Sequence, residues 1–315
     1  MYVHPELAGI LGRLPARPAG PYADIKAIRA DFKAMMAPLM RGDPRVAVEH
    51  ADAGGVPVQV LRPAGLPGTL PCVIYIHGGG FAYGELDGPS PMAQQVCAEV
   101  GAVVVNVDYR LAPEHRFPAG IEDCYTALCW TADHAADLGI DKARIAVSGA
   151  SAGGNLSAAL CLLARDRGGP AIACQCLLIP ITDDRLDRYP SISRITDPRV
   201  INGAGIAHTW RNYLGPDGSA AAASEYAAPA RAANLSGLPP AYILTCGLDP
   251  LRDQGLDFAR ALMAADVPVE VKDVPGAWHF FEAYAPGSQL AQRTTAHWLA
   301  ALRGGLEPRG ASLAA

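Results

Sequence analysis

The sequence predicts an α/β fold with a mostly parallel central sheet of about eight strands flanked by helices. Three observations predict it. From residue 71 onward, apolar strand-like runs alternate with helix-like segments, and strands separated by helices imply parallel crossovers. The runs are continuous rather than alternating, as expected of a sheet covered on both faces. The chain has 315 residues, 50% hydrophobic and 18% charged, which is enough to bury a large core and argues against disorder.

In chain order, "DIKAIRADFKAMMAPLM" is an amphipathic helical piece within a helical region at 1–42. "RVAVEHADAGGVPVQVLRP" reads as two strands joined at Gly54-Gly55, an antiparallel edge to the sheet. Six strands follow: 72–76, 102–107, 144–148, 173–179, 241–246 and 269–274. Helices are expected at 91–100, 120–136, 152–166, 253–265 and 290–303. Residues 184–236 carry no strand pattern, although "GIAHTWRNYLG" looks like a short helix. The segments 1–42 and 184–236 are expected to pack together as a lid over the sheet, which is formed by 43–183 and 237–306. Residues 307–315 are expected to form a frayed tail.

Composition excludes several classes. The net charge is -5 with no basic stripe, so nucleic acid is not an expected partner. No apolar run approaches the ~18 residues of a membrane span. The N-terminus lacks a basic start followed by an unbroken apolar stretch, so a cytoplasmic location is expected. The eight cysteines form no CxxC pair and read as small buried hydrophobes rather than metal ligands or disulfides. Cys174 and Cys176 share one face of a strand.

The chemistry centres on "AVSGASAGGNL" (146–156). Gly149-Ala150-Ser151-Ala152-Gly153 matches G-x-S-x-G, a short pattern that gains weight from a strand before it and a helix after it. Two readings of Ser151 stay open: a nucleophile on a sharp bend, or a cap of the following helix. A nucleophilic serine needs a base and an orienting acid, which on such an elbow follow in the order Ser, acid, His. His279, in the loop "PGAWHFFEAY" after the last strand, is preferred to His297, which lies mid-helix. Asp249, at the end of the strand 241–246, is preferred as the acid. It also suits a helix N-cap before Pro250, and Asp253 is the second choice. "IHGGGFAYG" follows the strand 72–76, and its glycines 78–80 leave backbone N–H groups open; with the N–H of Ala152 they make a coherent oxyanion hole. A phosphate loop is the rival, but G-x-x-x-x-G-K-[ST] is absent and Tyr83 breaks G-x-G-x-x-G. "VDYRLAPEHRFPAG" (107–120) reads as structural support, with Asp108, Arg110, Glu114 and Arg116 pairing within a compact turn.

Together, His77-Gly78-Gly79-Gly80, "DYRLAPEHRFPA", "GASAGGNL", "DPLRDQG" and a late His-x-Phe closely resemble the hormone-sensitive lipase-like esterases of the α/β-hydrolase superfamily, particularly their bacterial members. The resemblance implies the α/β-hydrolase fold with a helical cap from the N-terminus and an insertion after the sixth strand. It implies Ser151 as nucleophile, His279 as general base and acid, Asp249 as its orienting residue, and Gly78, Gly79 and Ala152 as oxyanion donors. Two positions depart from the family pattern. Ala150 stands where aspartate is common, and Phe280 stands where glycine is usual, which bears on substrate range.

The expected function is a cofactor-free serine carboxylesterase that takes small acyl esters and binds no metal. Tyr83, Trp210 and Phe280 are candidates to line the pocket. An amidase, lactonase or acyltransferase on the same three residues is the alternative. A non-catalytic ligand receptor on this fold is disfavoured because Ser151, Asp249 and His279 are all present. The resemblance leaves a homodimer open.

Overall fold

The computed structural model describes residues 1–16, 25–84, 86, 88, 90–216 and 224–308. The sheet has eight strands: β1 (Val46–Asp52), β2 (Pro57–Pro63), β3 (Leu70–Ile76), β4 (Val103–Val107), β5 (Ile140–Ala150), β6 (Gln175–Leu178), β7 (Ala241–Leu248) and β8 (Val269–Trp278). Their spatial order is β1-β2-β4-β3-β5-β6-β7-β8. β1 pairs antiparallel with β2, and β2 with β4, while every pair from β4 to β8 is parallel. The β1–β2 turn uses Gly54 and Gly55 at φ 70° and 93°, a left-handed conformation that side chains disfavour.

The helices are α1 (Pro5–Leu11), α2 (Ile25–Met36), α3 (Pro91–Val96), α4 (Ala119–Asp133), α5 (Ala152–Asp166), α6 (Pro190–Arg194), α7 (Gly203–Leu214), α8 (Arg252–Ala264), α9 (Phe281–Tyr284) and α10 (Gln289–Gly305). The continuous apolar runs now have a cause. Successive strand residues point to opposite faces, and both faces are covered. Ile74, Ile76, Val105, Val147 and Ile243 pack with α4, α5 and α8 on one side. Val73, Tyr75, Val104, Ala146 and Leu244 pack with α1, α3 and α10 on the other. Burying each such side chain contributes about 1.5–3 kcal/mol before ordering entropy is subtracted. All eight cysteines are free thiols, with only Cys129 partly exposed, and Cys174 and Cys176 join the same apolar cluster. Burial pushes the Cys72 thiol up to about 12, which makes it inert at neutral pH.

The segments that broke the strand–helix alternation divide. α1 packs on the body: its Leu7 is fully buried, His4 N donates to Gly276 O at 3.0 Å, and Glu6 Oε2 accepts from Leu290 N at 2.9 Å. α2 and α7 lie instead against the loop after β3. Between β6 and β7 no strand occurs among the described residues. There α6 is fastened to the β7–α8 junction: Ser191 Oγ donates to Pro250 O and Ser191 N to Asp253, each at 2.7 Å. Beyond residue 308 the expected tail lies outside the described residues.

Candidate active site

Ser151 is the single residue between β5 and α5. Its backbone sits at φ 58°, ψ -116°, a left-handed conformation in a residue that carries a Cβ. The glycines around it answer to crowding. A Cβ at Gly149 would stand 2.5 Å from the Ile76 carbonyl oxygen and from Gly153. A Cβ at Gly153 would overlap the Ile76 carbonyl and stand 2.6 Å from that of His77. The bend is therefore as tight as backbone allows, and only glycine fits on either side of it. The Ser151 side chain makes no capping hydrogen bond to α5, so of the two readings of this serine the cap is not the one observed.

Sheet register assembles the rest. Ile76 on β3 lies opposite Gly149 on β5, so Gly78 and Ser151 leave the sheet at the same level. On the far side, Leu248 of β7 pairs with Trp278 of β8, and the next residue on each strand is Asp249 and His279. His279 Nδ1 lies 2.6 Å from Asp249 Oδ2. This meeting depends on an irregularity: Cys246 pairs with Val274, so two residues of β7 span four of β8. In regular register Asp249 would face Ala277. The extra length is taken up at Pro275-Gly276, where Gly276 has φ 72° and its carbonyl accepts from His4 N. Sequence reasoning missed this bulge, whose only signal is a Pro-Gly pair inside a strand pattern. The second Asp249 oxygen accepts from Leu251 N at 2.9 Å, closing a turn before α8, whose N-cap is Leu251 rather than Asp249. Asp253 is occupied by Ser191 and Arg252. His297 sits on the Tyr242 hydroxyl at 3.0 Å, away from this cluster.

The loop after β3 turns tightly, with Gly79 O accepting from Ala82 N at 2.9 Å and Tyr83 N at 3.1 Å. Gly79 has φ 121°. Among the described residues the N–H groups of Gly78, Gly79 and Ala152 donate to no protein acceptor. His77 stacks on Tyr109 with ring centroids 4.3 Å apart, and its Nδ1 lies 2.7 Å from Gly78 O. Burial pushes His77 down to about 4, partly offset by that contact, so the ring is neutral and Nδ1–H donates to the carbonyl. Among the described residues no group of three His, Cys, Asp or Glu side chains could hold a metal ion.

A sequence model described as the alpha/beta hydrolase fold matches residues 73–283, from within β3 to within α9, a span that includes Gly78, Ser151, Asp249 and His279. The chain belongs to the α/β-hydrolase fold family. It is 42% identical over 255 residues to an esterase, LipI, of Mycobacterium tuberculosis, covering 80% of this chain and 78% of LipI. It is 41% identical over 266 residues to a carboxylesterase, NlhH, of the same species, covering 82% and 83%. Among solved structures it resembles a bacterial heroin esterase at a TM-score of 0.90 and 39% identity, covering 97% of this chain and 98% of that one. These likenesses place it with the hormone-sensitive lipase-like carboxylic ester hydrolases.

In this α/β-hydrolase Ser151, His279 and Asp249 are 8%, 4% and 1% exposed, a nearly closed site. Two of the three pocket candidates border the glycine loop directly. A Cβ on Gly78 would stand 3.4 Å from the Phe280 ring, which also meets His279 edge-on at 5.2 Å. Tyr83 packs over Gly79. Trp210 is buried and reaches the loop through Phe81, at 5.9 Å between ring centroids. Arg110 and Glu114, expected to pair within the turn at 107–120, instead find their partners outside it: Arg110 grips Asp123 with bonds of 2.7–3.1 Å, and Glu114 is held by Arg29 of α2. Sequence reasoning also missed Glu282. Burial pushes its carboxyl up to about 7; the nearby His279 lowers it and Asp249 raises it. No helix among the described residues is long and apolar enough to cross a membrane.

Proposed function

We propose that this carboxylic ester hydrolase acts on short- to medium-chain acyl esters through Ser151, His279 and Asp249. The observation that carries the reading is the buried 2.6 Å His279–Asp249 pair at the same end of the sheet as a serine held at a strained bend. Asp249 fixes the imidazole with Nδ1 protonated and Nε2 free to take a proton. Ser151 Oγ attacks the ester carbonyl carbon, and its proton passes to His279 Nε2. The oxyanion is received by the N–H groups of Gly78, Gly79 and Ala152. Collapse breaks the bond to the alcohol, which leaves with the proton from His279. Water then adds to the acyl-serine with His279 as base, and a second collapse releases the acid and restores Ser151.

α2 and α7 serve as the cap of this reading. The closed site and the Phe280 ring beside Gly78 support a preference for small acyl groups. The test is hydrolysis of p-nitrophenyl esters from acetate to dodecanoate by wild type and Ser151→Ala. A serine-dependent rate that peaks at short chains is expected. Full activity in Ser151→Ala, or a rate that rises steadily to dodecanoate, overturns the reading. Matched amide substrates, expected to turn over far more slowly, separate it from an amidase.

A further inference from the structure

α2 buries none of its residues, yet it carries Arg29, whose guanidinium reaches three points of the hydrolase body. Nε donates to Ala82 O at 2.8 Å and Nη2 to Ala112 O at 3.2 Å. Both Nη atoms bind the Glu114 carboxylate at 2.8 Å in a two-pronged pair. That pair holds Glu114 below the usual carboxylate range. Ala82 and Ala112 belong to segments already joined, since Phe81 O accepts from Ala112 N at 2.8 Å. Arg29 thus clasps the glycine loop from the solvent side.

Further along α2, Phe32 packs on the Tyr83 ring at 4.8 Å, and Met35 Sδ accepts from the Tyr284 hydroxyl at 3.7 Å. Positions 29, 32 and 35 share one helix face. That face therefore runs from the glycine loop to α9, which follows His279 and Phe280.

The geometry points to Arg29 as a positioning residue for ester hydrolysis, one that couples the docking of α2 to the order of the oxyanion loop. The inference rests on the oxyanion role proposed for Gly78 and Gly79. The link is short. The peptide after Ala82 also carries the Tyr83 N–H, which donates to Gly79 O at 3.1 Å, so a rotation of that peptide pulls on Gly79 directly. The Ala82 carbonyl that Arg29 holds belongs to that peptide. Arg29 meets four acceptors from three separate nitrogens in a planar fork, a geometry that the single ammonium of lysine does not reproduce.

The experiment measures kcat, KM and Tm for p-nitrophenyl acetate with Arg29→Met, Arg29→Lys and Glu114→Gln, beside Ser151→Ala. Removing an oxyanion donor outright costs about 10²–10³ in kcat, and loosening its loop should cost a fraction of that. Arg29→Met is expected to lower kcat about 10-fold with KM within about twofold, and Arg29→Lys is expected not to rescue it. Glu114→Gln is expected to fall between wild type and Arg29→Met. The Arg29–Glu114 pair is partly exposed and adds little stability, so Tm is expected to move by no more than about 2 °C. A rise in KM alone would make α2 a simple cover and overturn the proposal. So would an unchanged kcat, or a kcat loss matched by a collapse in Tm. If Arg29→Met does not fold, Glu114→Gln decides, and a wild-type kcat there overturns it. Activity surviving in Ser151→Ala would instead sink the catalytic reading on which this one rests.

Discussion

Replacing Phe280 with glycine separates backbone strain from pocket shape. Phe280 sits at φ 60°, ψ 29°, and a residue with a Cβ gives up about 1 kcal/mol there relative to glycine. Its partly buried ring contributes about 1–1.5 kcal/mol through contacts that include Gly78 and His279. Glycine also adds about 0.5–1 kcal/mol of unfolded-state entropy. Together they leave a loss of about 0.5–1.5 kcal/mol and a Tm drop of about 1–4 °C. Activity should move much more. Each methylene that enters vacated apolar space gains about 0.8 kcal/mol, or roughly fourfold in kcat/KM. If the ring walls the acyl side and its removal admits two more methylenes, the hexanoate-to-butyrate ratio of kcat/KM rises roughly 15-fold. Acetate, too short to reach the space, should change little. The assay is the p-nitrophenyl ester series with wild type and Phe280→Gly. A hexanoate-to-butyrate ratio within twofold of wild type, in a folded variant that still depends on Ser151, would refute this placement of the ring.

Four further outcomes are expected. Asp249→Asn should lower kcat by about 10⁴ with KM near wild type, because an amide in place of the 2.6 Å carboxylate stabilises the wrong imidazole tautomer; steady-state kinetics on acetate check it. Gly153→Ala should abolish soluble folding or lower Tm steeply, since its Cβ meets backbone on both sides. Gly304→Ala on α10, where nothing stands within 4 Å, should gain about 0.5–1 kcal/mol by thermal melts. Glu282→Gln should flatten the pH dependence of stability. A carboxyl at about 7 in the folded chain and 4.5 in the reference state keeps its proton on folding. Its contribution is complete below about 4.5 and is lost as pH rises through 7, at most about 3 kcal/mol. Wild-type Tm should therefore fall more between pH 5.5 and 8 than that of Glu282→Gln, and equal slopes would remove Glu282 from the account.

What could be read in the sequence was what neighbouring residues determine between themselves. A strand covered on both faces must be apolar at every position, so β3, β4 and β7 announce themselves. A serine on a one-residue bend forces glycine at 149 and 153, so the elbow does too. What escaped depends on partners far along the chain. Nothing local to Arg29 says that it will grip residues more than 50 positions away. Nothing in residues 1–42 says that α1 will settle on β8 while α2 crosses to the glycine loop.

The same distinction runs through the proposed catalytic pair. Asp249 and His279 are each legible at a strand end, but their meeting is not, because it needs β8 to be two residues longer than its register with β7 would make it. Pro275-Gly276 takes up that length, and His4 N holds the bulge by its Gly276 carbonyl. A Cβ on Gly276 would stand 2.5 Å from that same nitrogen and 2.8 Å from the Tyr2 ring, so the first residues of the chain are packed against the bulge without room to spare. The N-terminal segment therefore acts twice on the site. Residues 2–4 brace the strand that delivers His279, and Arg29 clasps the loop that faces Ser151.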